Sequence, residues 1–99
     1  MKINLFKIKK EKLKTWQKWC ELLNTRLKKQ AIETLKEEGL TNEGFYFFKL
    51  DRENYTMGFS IGKHLPTNMT KKINKKHREK KKECLEYMGP ISILYDLET

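Results

Sequence analysis

The chain has 99 residues and a mass of 12.0 kDa, with 22 Lys and Arg against 13 Asp and Glu for a formal charge of +9. That is one small domain, residues 1–99, with room for a modest core and little depth for an elaborate internal active site. Only 37% of residues are hydrophobic, but Trp, Phe, Tyr, Leu and Ile recur throughout, which argues against disorder; no apolar run reaches the ~18 residues of a membrane span.

Lys2 to Ile8 alternates, with Ile3 and Leu5 opposite Asn4, Phe6 and Ile8, and reads as a strand with apolar residues on both faces. From about Glu11 the period changes. Leu13, Trp16, Cys20, Leu23, Leu27, Ala31 and Leu35 recur at three- and four-residue steps, as in an amphipathic helix. One helix from 11 to 38 would be about 42 Å long, far longer than the strand it packs on. Asn24-Thr25 is therefore read as a kink or a break into two helices, and Gly39 as the stop. Gly44 to Leu50 is an aromatic strand, residues 51–54 a polar turn, and Tyr55 to Ile61 an alternating strand, which together form a hairpin. After a loop around Pro66, a helix runs from about Thr70 to Tyr87. Its stripe is Met69, Ile73, His77, Cys84 and Met88, and Gly89-Pro90 ends it. Ile91 to Leu97 reads as the last strand.

The order is β-α-β-β-α-β, an α+β, ferredoxin-like antiparallel sheet with its helices on one face. Several strands carry large apolar residues on both sides, so one sheet face would lie bare in a monomer. The economical solution is a homodimer whose sheets pack together.

The N-terminus, MKINLFKIKKEKLK, lacks the apolar core of a secretory signal. Cys20 and Cys84 form no CxxC and have no His-x-His near them, which excludes a disulfide framework and a zinc knuckle, and a reduced cytoplasmic setting is expected. Nothing resembles a phosphate loop, a dinucleotide fingerprint or a nucleophile elbow, and no cofactor is called for. Nineteen of the 22 cations are lysines, concentrated in the first and last thirds. A solvated lysine face explains this better than a nucleic-acid site, which tends to favour Arg. A polyanion- or protein-binding module that uses these helices stands as the alternative.

Candidate site residues follow from placement. His77 falls on the inward stripe of the last helix, where it can act as a general base, serve as a ligand to haem, or be a hydrogen-bonded core histidine. Trp16 and Trp19 read as core, with a pocket wall as the other option for Trp19. Asn24, Arg26 and Glu38 are polar candidates for ligand contact, and Arg26 can clamp a carboxylate or pair across a subunit boundary.

The run WCELLNTRLKKQAIETLKEEG from Trp19 to Gly39, KKHREK around His77, ECLE and the closing ISILYDLE resemble a small bacterial domain-of-unknown-function family. That family is placed in the dimeric α/β-barrel superfamily, with antibiotic-synthesis and haem-degrading monooxygenases and a sugar mutarotase. The resemblance implies a dimeric α/β-barrel and monooxygenase- or isomerase-like chemistry on a small molecule near His77. The haem-degrading relatives carry their axial histidine on the corresponding helix, an Asn in the first strand, and a Trp. Asn4 matches, whereas Trp16 and Trp19 stand on the first helix and depart from the pattern. The stretch from Ile61 to Lys76 departs too.

Overall fold

The computed structural model describes all 99 residues. Strands β1 (Lys2–Ile8), β2 (Leu40–Leu50), β3 (Glu53–Gly62) and β4 (Leu85–Pro90) and helices α1 (Leu13–Asn24), α2 (Lys28–Glu37) and α3 (Lys72–Cys84) form an α+β fold. The sheet order is β2-β3-β1-β4 and every neighbouring pair is antiparallel. β1 and β2 are therefore parallel and split by β3, and β3 and β4 are parallel and split by β1. This is the interleaved pair of βαβ units expected of a ferredoxin-like chain.

The expected helix break is present. α1 ends at Asn24, Thr25 donates its hydroxyl back to the Glu21 carbonyl at 2.7 Å, and α2 starts at Lys28 after three intervening residues. Gly39 ends α2 at φ +67°, a backbone conformation that costs glycine little.

Three assignments differ from the sequence reading. β2 begins at Leu40 instead of Gly44, because Leu40, Asn42 and Glu43 pair with the end of β3. The last strand is Leu85–Pro90, not Ile91–Leu97, and α3 stops at Cys84 instead of Tyr87. The reason is geometric. A 13-residue helix rises about 20 Å, which matches the roughly 20–23 Å length of β1 and β4. At Leu85 the chain turns extended and fills the free edge of β1, with Ile8 opposite Leu85 and Lys9 N–H donating to the Cys84 carbonyl at 2.8 Å. Gly89 at φ +137° then serves the irregularity between Leu5 and Phe6, so Gly89-Pro90 closes a strand and not a helix.

The hairpin turn is tighter than the four residues expected. Leu50 pairs with Glu53, and Asp51 and Arg52 both have positive φ (49° and 67°), as a two-residue type I′ turn requires. Arginine pays a steric cost there that glycine avoids. Arg52→Gly is therefore expected to stabilise the fold by about 1 kcal/mol, read as a higher urea midpoint at unchanged slope. An equal or lower midpoint would show that the turn is not under that cost.

The core lies on the helix side of the sheet: Ile8, Trp16, Trp19, Cys84 and Leu85, with Phe6, Phe45 and Ile73 packed around them. Trp16 meets the Phe45 ring edge-on at 5.2 Å. The Phe45 ring also covers Gly58 across the hairpin, where an added Cβ would sit 2.7 Å from it. On the opposite face the Phe59 ring covers Gly44 in the same way.

That opposite face has no helices. It carries the stacked pairs Tyr46–Phe59 and Phe48–Tyr55, with Tyr46, Phe48, Leu50 and Met88 exposed. Only eight of the 99 residues are buried, and the accessible surface is 7847 Å². A compact monomer of this mass would expose about 6,000 Å², so the chain shows an excess of roughly 1,900 Å².

Candidate functional site

α1 and α3 cross over the sheet with their apolar stripes inward, and this brings Trp19 and His77 together although 58 positions separate them. The Trp19 Nε1–H donates to His77 Nδ1 at 2.9 Å. The rings of Trp16, Trp19 and Phe45 surround the imidazole with centroids at 6.0–6.4 Å. Trp16 and Trp19 are both buried, so both belong to the core, and Trp19 also positions the histidine.

An indole N–H can only donate, so Nδ1 must accept and the neutral imidazole carries its proton on Nε2. Burial, and after it the charge of Lys81, pulls the His77 pKa down to about 4. Near neutral pH the ring is therefore uncharged, with Nε2–H as its free group. In this arrangement Nε2 has no lone pair to offer, so it does not fit the role of general base or of axial ligand to haem iron. What it can do is donate a hydrogen bond.

His77 lines an open cleft of about 570 Å³ between α1, α2, α3 and β2. Apolar walls come from Leu23, Leu35, Phe45 and Ile73, and polar groups from Asn24, Glu38, Glu43, Asn74, Arg78 and Lys81. The structure thus brings His77, Asn24 and Glu38 to one cleft, with Trp19 directly behind the imidazole. It does not bring in Asn4 or Arg26. Asn4 lies in β1, where its Oδ1 accepts from the Tyr87 hydroxyl at 3.2 Å. Arg26 is exposed in the turn between α1 and α2.

Glu38 also holds the loop that closes one end of the cleft. Its Oε1 accepts from the Thr67 hydroxyl at 2.8 Å and its carbonyl from Leu65 N–H at 2.9 Å. Asn74 donates to the Asn68 carbonyl at 2.9 Å, which fixes the same loop to α3.

Glu43, Lys28 and Lys81 are cleft residues that the sequence reading missed. Glu43 shares a strand face with Phe45, a signal hidden by starting that strand at Gly44. Its side chain is open to solvent overall, but crowding of the carboxyl by the cleft and then the charge of Glu38 raise its pKa, against the pull of Lys81. Cys20 faces the cleft, and burial, then Cys84, pushes its thiol up to about 11, so it is held protonated and unreactive. The other histidine, His64, stands at φ +58° with Nε2 2.8 Å from the Ser60 hydroxyl. No spacing in the sequence singled it out.

Three or more His, Cys, Asp or Glu side chains nowhere converge as a metal cage would. No helix is long and apolar enough to cross a membrane. A family model described as a family of unknown function (DUF6176) matches residues 1–98. No curated protein and no solved structure matches the chain.

Proposed function

The chain belongs to the DUF6176 family of unknown function, and we propose that it is a homodimer, held in a reducing cytoplasmic setting, that binds a small molecule in the cleft beside His77. One observation carries the ligand reading: a buried indole N–H holds Nδ1 of His77, so Nε2–H is the ring's free donor, and His77 lines a cleft large enough for a small organic compound. A neutral donor beside Lys28, Arg78 and Lys81 suits an oxygen acceptor, either a carbonyl or a carboxylate. Such a donor polarises a carbonyl oxygen, the kind of help an isomerisation needs, without itself removing a proton.

The cations of the helices favour this reading over a polyanion-binding face. Lys71 pairs with Glu37, and Lys12 and Lys80 both pair with Glu83. Lys76 and Lys81 lie over the Trp19 and Phe6 rings at 5.9 and 5.5 Å from their centroids. Part of the lysine charge is thus spent within the chain. Retention on heparin that persisted at several hundred millimolar salt would favour the alternative.

The test uses two substitutions. Glutamine offers both an acceptor for Trp19 and a donor for the cleft; leucine offers neither. In an NMR titration with a set of small carboxylates and ketones, His77→Gln should bind within a few-fold of wild type. His77→Leu should lose roughly 10–100-fold, the worth of one buried hydrogen bond. Equal binding by the leucine variant, or no compound perturbing the cleft in wild type, would overturn the reading. Stability alone does not separate the alternatives, because His77→Leu also orphans the Trp19 N–H whatever the site does.

A further inference from the structure

Residues 91–99 follow β4 and run free. Ile91 N–H donates to the Ile3 carbonyl at 2.8 Å, and beyond that bond no backbone hydrogen bond ties the segment to the rest of the chain. Yet its composition is not that of a solvated tail. Leu94, Tyr95 and Leu97 are 94%, 81% and 84% exposed. Ile91, Ile93, Tyr95 and Leu97 alternate with Ser92, Leu94, Asp96 and Glu98, an amphipathic strand pattern; Ile91 and Ile93 are partly covered by the chain itself (37% and 49% exposed), while Tyr95 and Leu97 have no surface to lie on.

The segment cannot serve its own sheet as an added strand. It continues directly from edge strand β4, and pairing with that strand would need a reversal. Between Pro90 and Leu97 there is no Gly or Asn to make one. It therefore adds no strand to its own sheet; extended, it spans about 23 Å over seven residues, slightly more than the roughly 19 Å width of a four-stranded sheet.

The same chain supplies the complementary surface, the helix-free sheet face with Tyr46, Phe48, Leu50 and Met88 exposed. The excess of roughly 1,900 Å² of accessible surface per chain, set against the standard interface of about 800 Å² per partner, is enough for sheet contact and an exchanged segment together. The segment is also the acidic end of a basic chain, with Asp96 and Glu98 and no cation.

We infer that in the homodimer residues 91–97 of each protomer cross to the other and pack the side of Ile91, Ile93, Tyr95 and Leu97 against the partner's open sheet face. This rests on the dimer proposed above and adds the element that fastens it.

The experiment uses the full chain, with light scattering for mass, hydrogen exchange for residues 92–98, and isotope-filtered NMR on a mixture of labelled and unlabelled protein. Expected are a ~24 kDa particle at micromolar concentration, slowed exchange along the segment, and contacts between Tyr95 of one protomer and sheet aromatics of the other. Tyr95→Asp with Leu97→Asp should weaken dimerisation at least about tenfold, while the fluorescence of the buried Trp16 and Trp19 stays unchanged. A dimer whose segment exchanges like free peptide, or whose segment contacts are all intramolecular, would overturn the exchange and leave the dimer standing. A ~12 kDa particle would overturn the dimer itself.

Discussion

Trp19→Phe is expected to cost about 3 kcal/mol of stability, more than any surface substitution in this chain. Two effects add. Trp19 is 2% exposed, and the smaller ring leaves a gap against His77 and the Cys84 level of the core, worth 1–2 kcal/mol. The change also strips His77 Nδ1 of its donor and leaves a buried acceptor unpaired, for another 1–2 kcal/mol or so. Urea unfolding at fixed protein concentration reads the sum. The ¹⁵N shifts of His77 read the second effect separately: wild type should show one neutral tautomer, protonated at Nε2, and the variant a mixture. A variant that kept the single tautomer would show that Trp19 does not set it.

Acid should destabilise the protein well before its carboxylates titrate. Folded His77 holds its pKa near 4, because burial and then Lys81 disfavour the cation; the unfolded side chain titrates near 6.5. Between those values the unfolded chain binds the extra proton, so stability falls as pH falls through this window. The contribution is fully present above pH 6.5 and gone below about 4. The shift corresponds to at most about 3 kcal/mol. The geometry gives the same sign, since an imidazolium would set a second N–H against the Trp19 N–H. Unfolding midpoints from pH 7.5 to 4.5 should drop steeply in wild type and stay nearly level over the same range in His77→Gln. Parallel curves would remove His77 as the cause.

The sequence announced what local periodicity encodes. The helix break at Asn24-Thr25, the stop at Gly39, the hairpin and the inward placement of His77 follow from spacing within one element. Three things did not. The end of α3 depends on how much chain is needed to reach the open edge of β1, which is a distance in the sheet and not a pattern in residues 70–90. The Trp19–His77 bond joins two stripes, each legible by itself, whose relative height is set only when both helices cross the sheet. Glu43 was hidden because its strand was started one residue after it. Arg26 drew notice by its chemistry, but the turn that separates α1 from α2 turns it to solvent.

The paired coverings of Gly58 by Phe45 and of Gly44 by Phe59 bear on how the chain finds its alignment. A one-residue slip between β2 and β3 would send every side chain to the wrong face. A two-residue slip would keep the faces and is the error to be feared. It would set Phe45 opposite Thr56 or Ser60, where a Cβ stands in the ring's place, and would set Phe59 opposite Asn42 or Tyr46 with the same result. Each ring accepts one partner, and the two rings test the alignment from opposite sides of the sheet. The hairpin's alignment is thereby keyed by its own two strands, and that alignment holds Phe45 where Trp16 and His77 pack against it.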